Sequence, residues 1–176
     1  MKPQILLIFA LLTGFATYAQ EPPKVTDEGD NELKINLAYL LFEIVELNYE
    51  RLITDEIGVG LGASVWFGGN SDIDFMFNPY FRFYPIDADR RATSFFIEGN
   101  AGFLGGRELI SFHTENGWDS REDNFVRGGA GIAVGAKFLS KGNFLAEGYL
   151  GIGRIFGTPS FPDVYPRVGV TFGKRF

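Results

Sequence analysis

A chain of 176 residues with 23 Gly, 19 Phe, one His, no Cys and a formal charge of −6 has room for one domain. The absent Cys excludes disulfides, thiolate nucleophiles, Cys zinc sites and lipoprotein acylation, and a single His excludes a multi-His metal centre. The negative charge argues against nucleic acid as a partner, mean hydropathy near zero argues against a bundle of membrane helices, and nothing in the sequence implies a cofactor.

Residues 1–19 read as a secretory signal. Lys2 supplies the positive end, Ile5 to Leu12 form an apolar run too short to span a bilayer, and Thr17-Tyr18-Ala19 is a small-x-small cleavage site. Residues 20–31, with Pro22, Pro23 and several acids, are too polar to bury much surface and predict a flexible tail. Residues 32–176 then form one unit.

Within that unit the hydrophobic period is two, not 3.6. Leu33, Ile35, Leu37 and Tyr39 alternate with Lys34, Asn36 and Ala38; Val45, Leu47 and Tyr49 alternate with Glu46, Asn48 and Glu50. Ile57 to Phe67 alternates with Gly58, Gly60, Gly62, Ser64 and Trp66, and Ile73 to Phe83 with Asp74, Met76, Asn78, Tyr80 and Arg82. Four more such stretches run over 94–103, 126–138, 144–153 and 167–176. Eight strands are expected, joined by tight polar turns at Thr54-Asp55-Glu56, Asp87 to Arg90 and Lys141-Gly142-Asn143. Longer connections are expected at Gly106 to Asn124 and Gly157 to Asp163, and shorter ones at Leu40 to Glu43 and Gly68 to Asp72. Pro79 and Pro166 lack a ladder donor and predict bulges or strand ends.

Alternation leaves open which face meets water. A soluble secreted ligand-binding barrel would bury the apolar set; a membrane barrel would turn it toward lipid and keep a polar interior. Three features favour lipid. Many glycines lie on the polar face, where they make room for large side chains in a narrow barrel. On that face Lys34, Arg82, Arg127, Lys137, Arg167 and Arg175 nearly balance Glu46, Glu50, Asp74, Glu98 and Glu147, as a poorly solvated interior requires. The apolar set is too bulky for an eight-stranded interior, and its aromatics gather toward both strand ends. The reading is therefore an all-β, eight-stranded antiparallel up-and-down transmembrane barrel. Glu50, Arg82, Glu98, Arg127, Glu147 and Arg167 form its buried ion network, with Tyr80, Tyr149 and Trp66 filling the remaining interior.

The last strand ends in Phe176 after alternating Val168, Val170 and Phe172. It resembles the C-terminal strand that bacterial outer-membrane barrels present to their insertion machinery. Leu37 to Phe42 followed by Leu47-Asn48-Tyr49-Glu50-Arg51 is similar to the opening hairpin of short barrel proteins common in the Bacteroidota, and the whole unit resembles small OmpA/OmpX-type barrels. The resemblance implies a Gram-negative outer-membrane location with both termini periplasmic and the Gly106 to Asn124 loop outside. The implied partners are outer-membrane lipid and lipopolysaccharide, the insertion machinery and a larger outer-membrane complex. Some eight-stranded barrels of this class modify lipids with a Ser, a His and an acid. Ser111, His113 and Glu115 are the only such set here, but Ser precedes His where the deacylase pattern places it two after. The expected role is therefore non-enzymatic, structural or interaction-based, with an outer-leaflet lipid enzyme as the alternative.

Overall fold

A computed structural model describes residues 29–68, 71–85, 93–114, 117–156 and 164–176. The expected signal segment, the expected tail up to residue 28, the expected turn at Asp87 to Arg90, Glu115 and the expected connection Gly157 to Asp163 lie outside the described residues. The strands are β1 (Asn31–Asn36), β2 (Ile44–Thr54), β3 (Ile57–Trp66), β4 (Ile73–Phe83), β5 (Thr93–Thr114), β6 (Gly117–Leu139), β7 (Phe144–Ile155) and β8 (Val164–Arg175). They close into an antiparallel barrel in the order β1-β2-β3-β4-β5-β6-β7-β8, as the period-two pattern predicts.

The seam between β1 and β8 shows how closure is completed. Phe176 N–H donates to Asn31 O at 2.8 Å and Asn31 N–H to Phe176 O at 3.1 Å, so strand pairing begins inside the segment expected to be tail. At its other end β1 stops at Asn36, where the alternation predicts strand through Tyr39. Residues Leu37–Leu40 instead form a single helical turn, α1. The Asn36 side chain caps it by accepting from Ala38 N–H at 3.2 Å. That side chain also donates to Val168 O at 3.2 Å and accepts from Val170 N–H at 3.3 Å, while Tyr39 O–H donates to Pro166 O at 3.3 Å. The short β1 leaves the edge of β8 bare, and α1 with its cap covers it. Pro166, without a donor, sits on this edge.

Neither proline produces a bulge. Pro79 pairs in regular register with Leu61, and Pro166 with Ile152. Register shifts fall at Leu52/Thr54 and at Ile73/Phe75. The second corrects the expected faces of two residues. Ile73 turns inward against Met76, Leu104, Ile155 and Tyr165, while Asp74 turns outward to pair with Arg107 at 3.1 Å.

Outside these points the faces are as the alternation predicts. Val59, Leu61, Phe77, Phe81, Phe95, Ile97, Ile132, Leu150 and Ile152 point outward and are exposed. The inward glycines are floors for aromatic rings. A methyl added at Gly60 would collide with the Tyr80 ring, at Gly153 with Tyr165, and at Gly169 with Tyr149. Each of these tyrosines is at most 5% exposed.

Candidate functional site

Among the described residues, five acids (Glu32, Glu46, Glu50, Glu98, Glu147) and five bases (Lys34, Arg82, Lys137, Arg167, Arg175) are buried on the inward face, none more than 2% exposed. Strand register places opposite charges side by side: Arg82 across from Glu98, Lys137 across from Glu147, and Arg175 across from Glu32. The like-charged cross-strand pair Glu32–Glu50 is bridged twice. Lys34 Nζ donates to Glu32 at 3.1 Å and Glu50 at 2.5 Å, and Lys137 Nζ donates to the same two at 2.7 Å and 3.3 Å.

Arg82 is the hub. Its Nη1 donates to Glu50 at 2.7 Å and Glu147 at 2.9 Å, and its Nε to Glu98 at 2.9 Å. Its guanidinium lies 4.0 Å from the Phe96 ring centroid and 4.6 Å from that of Tyr80. Arg167 joins Glu98 (2.9 Å) to Glu46 (2.8 Å), and Arg175 closes the terminal end on Glu32 at 2.8 Å. Tyr84 donates to Glu50 and accepts from Lys137 Nζ at 2.6 Å.

The Glu32, Glu50 and Glu147 carboxylates converge within 4.8 Å, close enough to hold a metal ion. Each already accepts from Lys34, and Arg82 and Lys137 complete the shell, so an ammonium stands where a cation would bind. Such an array neutralises itself. It offers neither a free base nor an open ligand position.

Five of the six residues expected in the network belong to it: Glu50, Arg82, Glu98, Glu147 and Arg167. Arg127 does not. It faces inward but sits level with Leu104, six residues along β5 from Glu98. Its Nη2 donates to Glu108 at 2.6 Å and its guanidinium stacks 4.2 Å from Phe125. Alternation reports the face of a residue, not its depth, which is why Arg127 was legible as inward and misplaced along the axis. Glu32 and Tyr84 join the network although the pattern ended short of them. Extending the inward periods Glu32-Lys34 and Tyr80-Arg82-Tyr84 by one step finds both.

The segment Gly106 to Asn124, expected as a loop, is instead a ribbon. Pairing of β4 with β5 ends at Gly106 and of β6 with β7 at Gly129, whereas β5 and β6 remain paired to Thr114 and Gly117. The ribbon therefore stands about 20 Å beyond the barrel wall at the usual strand rise. Arg107 bridges Asp74 and Glu122, and Arg121 bonds Asp123 at 2.6 Å, so much of its acidity is paired. Ser111 and His113 lie exposed on one face of β5, opposite Ser120 and Trp118. At the seam, Phe172 stacks on Phe144 at 6.0 Å and pairs with Ile35, and Val168 and Val170 continue the β7–β8 ladder to which Phe172 belongs.

These features define a class: an eight-stranded up-and-down barrel with an ionic interior and an apolar exterior. Among solved structures the chain is similar to the crystal structure of the N-terminal β-barrel domain of Pseudomonas aeruginosa OprF, with a TM-score of 0.58 and 11% identity, covering 85% of this chain and 100% of that one. At that identity the likeness is one of fold. No family model matches the sequence, and no curated protein matches it.

Proposed function

We propose that the protein is an integral outer-membrane barrel of a Gram-negative bacterium, the Bacteroidota being the group its opening hairpin resembles. In this reading both termini are periplasmic and the interior is plugged. The role is non-enzymatic: the projecting ribbon meets a ligand or partner protein, or the barrel is an accessory subunit of a larger outer-membrane complex. The observation that carries the membrane reading is the inversion of polarity: buried charges inside, exposed Phe, Leu, Ile and Val outside. On β7 and β8 the outward charges nearest the apolar belt are Arg154 at the ribbon end and Lys174 at the terminal end. Val164, paired with Arg154, is ten residues from Lys174. At about 3.3 Å per residue and a tilt near 40°, that span gives a belt about 25 Å tall, the thickness expected of an outer-membrane barrel. Outward aromatics flank it, with Phe67 and Phe103 toward the ribbon and Phe83, Phe95, Phe138 and Phe144 toward the termini.

An open pore disagrees with the inward side chains, since charged groups and tyrosine rings crowd an eight-stranded interior that is narrow to begin with. Catalysis by Ser111, His113 and Glu115 has less support, because the first two lie exposed on a two-stranded ribbon that extends past the last pairing with β4 and β7. The chain has no native Cys, so single-Cys variants test the orientation cleanly. Ser111→Cys should react with a membrane-impermeant maleimide on intact cells, and Ser140→Cys only after the outer membrane is opened. The reverse pattern would invert the topology, and labelling of both on intact cells would contradict a spanning barrel.

A further inference from the structure

A groove in the outward wall carries a cation at its ribbon end. It runs over β6, β7 and β8 and is lined by Ala130, Ile132, Ile152, Arg154 and Val164, with the backbone of Gly131 and Gly153 beneath. Strand register explains the lining. Arg154 pairs with Ala130 on one side and Val164 on the other, and Ile132 faces Ile152 on the next outward row. Between the two rows Gly131 faces Gly153, so the floor is bare main chain. Ile132, Ile152 and Val164 are each more than half exposed, so this apolar surface is offered to something outside the barrel.

Charge and depth select the occupant. Among the described residues, the outward positions of β6 from Val126 to Phe138, of β7 and of β8 carry no acid, and their cations are Arg154 at the ribbon end and Lys174 at the other. In the membrane reading, on which this inference rests, Arg154 marks the ribbon-end boundary of the apolar belt, level with the outer headgroups, and Ile132 and Ile152 lie one row deeper among acyl chains. An arginine at such a boundary lays its aliphatic stem on the apolar wall and keeps its guanidinium in the polar layer. There the planar fork matches the oxygens of a phosphate. We propose that the groove binds a phosphorylated acyl lipid of the outer leaflet, with one acyl chain across Ile132 and Ile152 and the phosphate on the Arg154 guanidinium.

Native mass spectrometry of the folded chain, released from detergent micelles carrying lipid A, tests this. The natural protein is expected to retain lipid A and to lose it when the probe is the dephosphorylated form. Arg154→Gln should weaken retention about tenfold, the worth of one charge-assisted hydrogen bond. Ala130→Phe, which sets a ring in the groove from an outward position, should weaken it as well. Lys174→Gln, at the opposite boundary of the belt, should leave it unchanged. Equal retention of the dephosphorylated lipid, full retention by folded Arg154→Gln, or an equal loss in Lys174→Gln would overturn the site. Insertion into lipid vesicles, read on the same samples by gel migration before and after boiling, separates the two levels of the account. A natural chain that inserts but retains no lipid A fails this inference alone, and one that does not insert fails the membrane reading with it.

Discussion

At the residue scale the account turns on which charges are buried together. Arg82 serves three carboxylates, Glu50, Glu98 and Glu147, all fully enclosed. Removing it leaves a buried carboxylate charge uncompensated. Arg82→Ala is therefore expected to destabilise the barrel by about 3–5 kcal/mol in denaturant unfolding followed in detergent. Arg127→Ala should cost less than about 1 kcal/mol, because its partner Glu108 is 37% exposed and can be solvated instead. Equal losses for the two would contradict the separation of Arg127 from the network. Sequence reasoning alone ranks these substitutions together, since both arginines alternate inward. What separates them is depth along the axis, which strand register sets and alternation does not report.

At the element scale, the period-two pattern made eight strands legible because one-residue slips would reverse every face. Three departures were hidden for physical reasons. Leu37 and Tyr39 keep the strand period into α1, yet the chain turns there because the Asn36 side chain caps a helical turn and secures the edge of β8. The shift at Ile73/Phe75 exchanges the faces of Ile73 and Asp74, and the glycines that accommodate it, Gly105 and Gly106, stand on the partner strand, far away in sequence. The ribbon is too polar to read as strand, because charged, hydroxyl and amide residues far outnumber apolar ones over 107–124. It is held by cross-strand pairing and by ion pairs such as Arg107–Glu122 and Arg121–Asp123. Two strands alone are marginally stable in water. Hydrogen exchange should accordingly find the amides of Glu108 to His113 and Asp119 to Asp123 exchanging far faster than those of Phe96 to Asn100. Equal protection would mean that a further strand or a partner covers the ribbon.

At the scale of the whole molecule, interior and exterior have exchanged the polarity of a soluble protein. Among the described residues, the inside buries ten charges that sum to zero, and the outside presents Phe, Leu, Ile and Val. The Asn31–Phe176 hydrogen bonds close the cylinder at the terminal end of the β1–β8 seam, and the Asn36 side chain and Tyr39 O–H bond the part of the β8 edge that β1 leaves bare. Exposed apolar surface on this scale is stable when lipid covers it and drives aggregation when water does. Refolding from urea therefore tests the central claim most directly. With lipid vesicles present, the chain should become protease-resistant, stay with the vesicles through a carbonate wash, and migrate differently on gels when unheated than when boiled. A soluble, folded β-protein obtained in plain buffer, with no affinity for the vesicles, would contradict it.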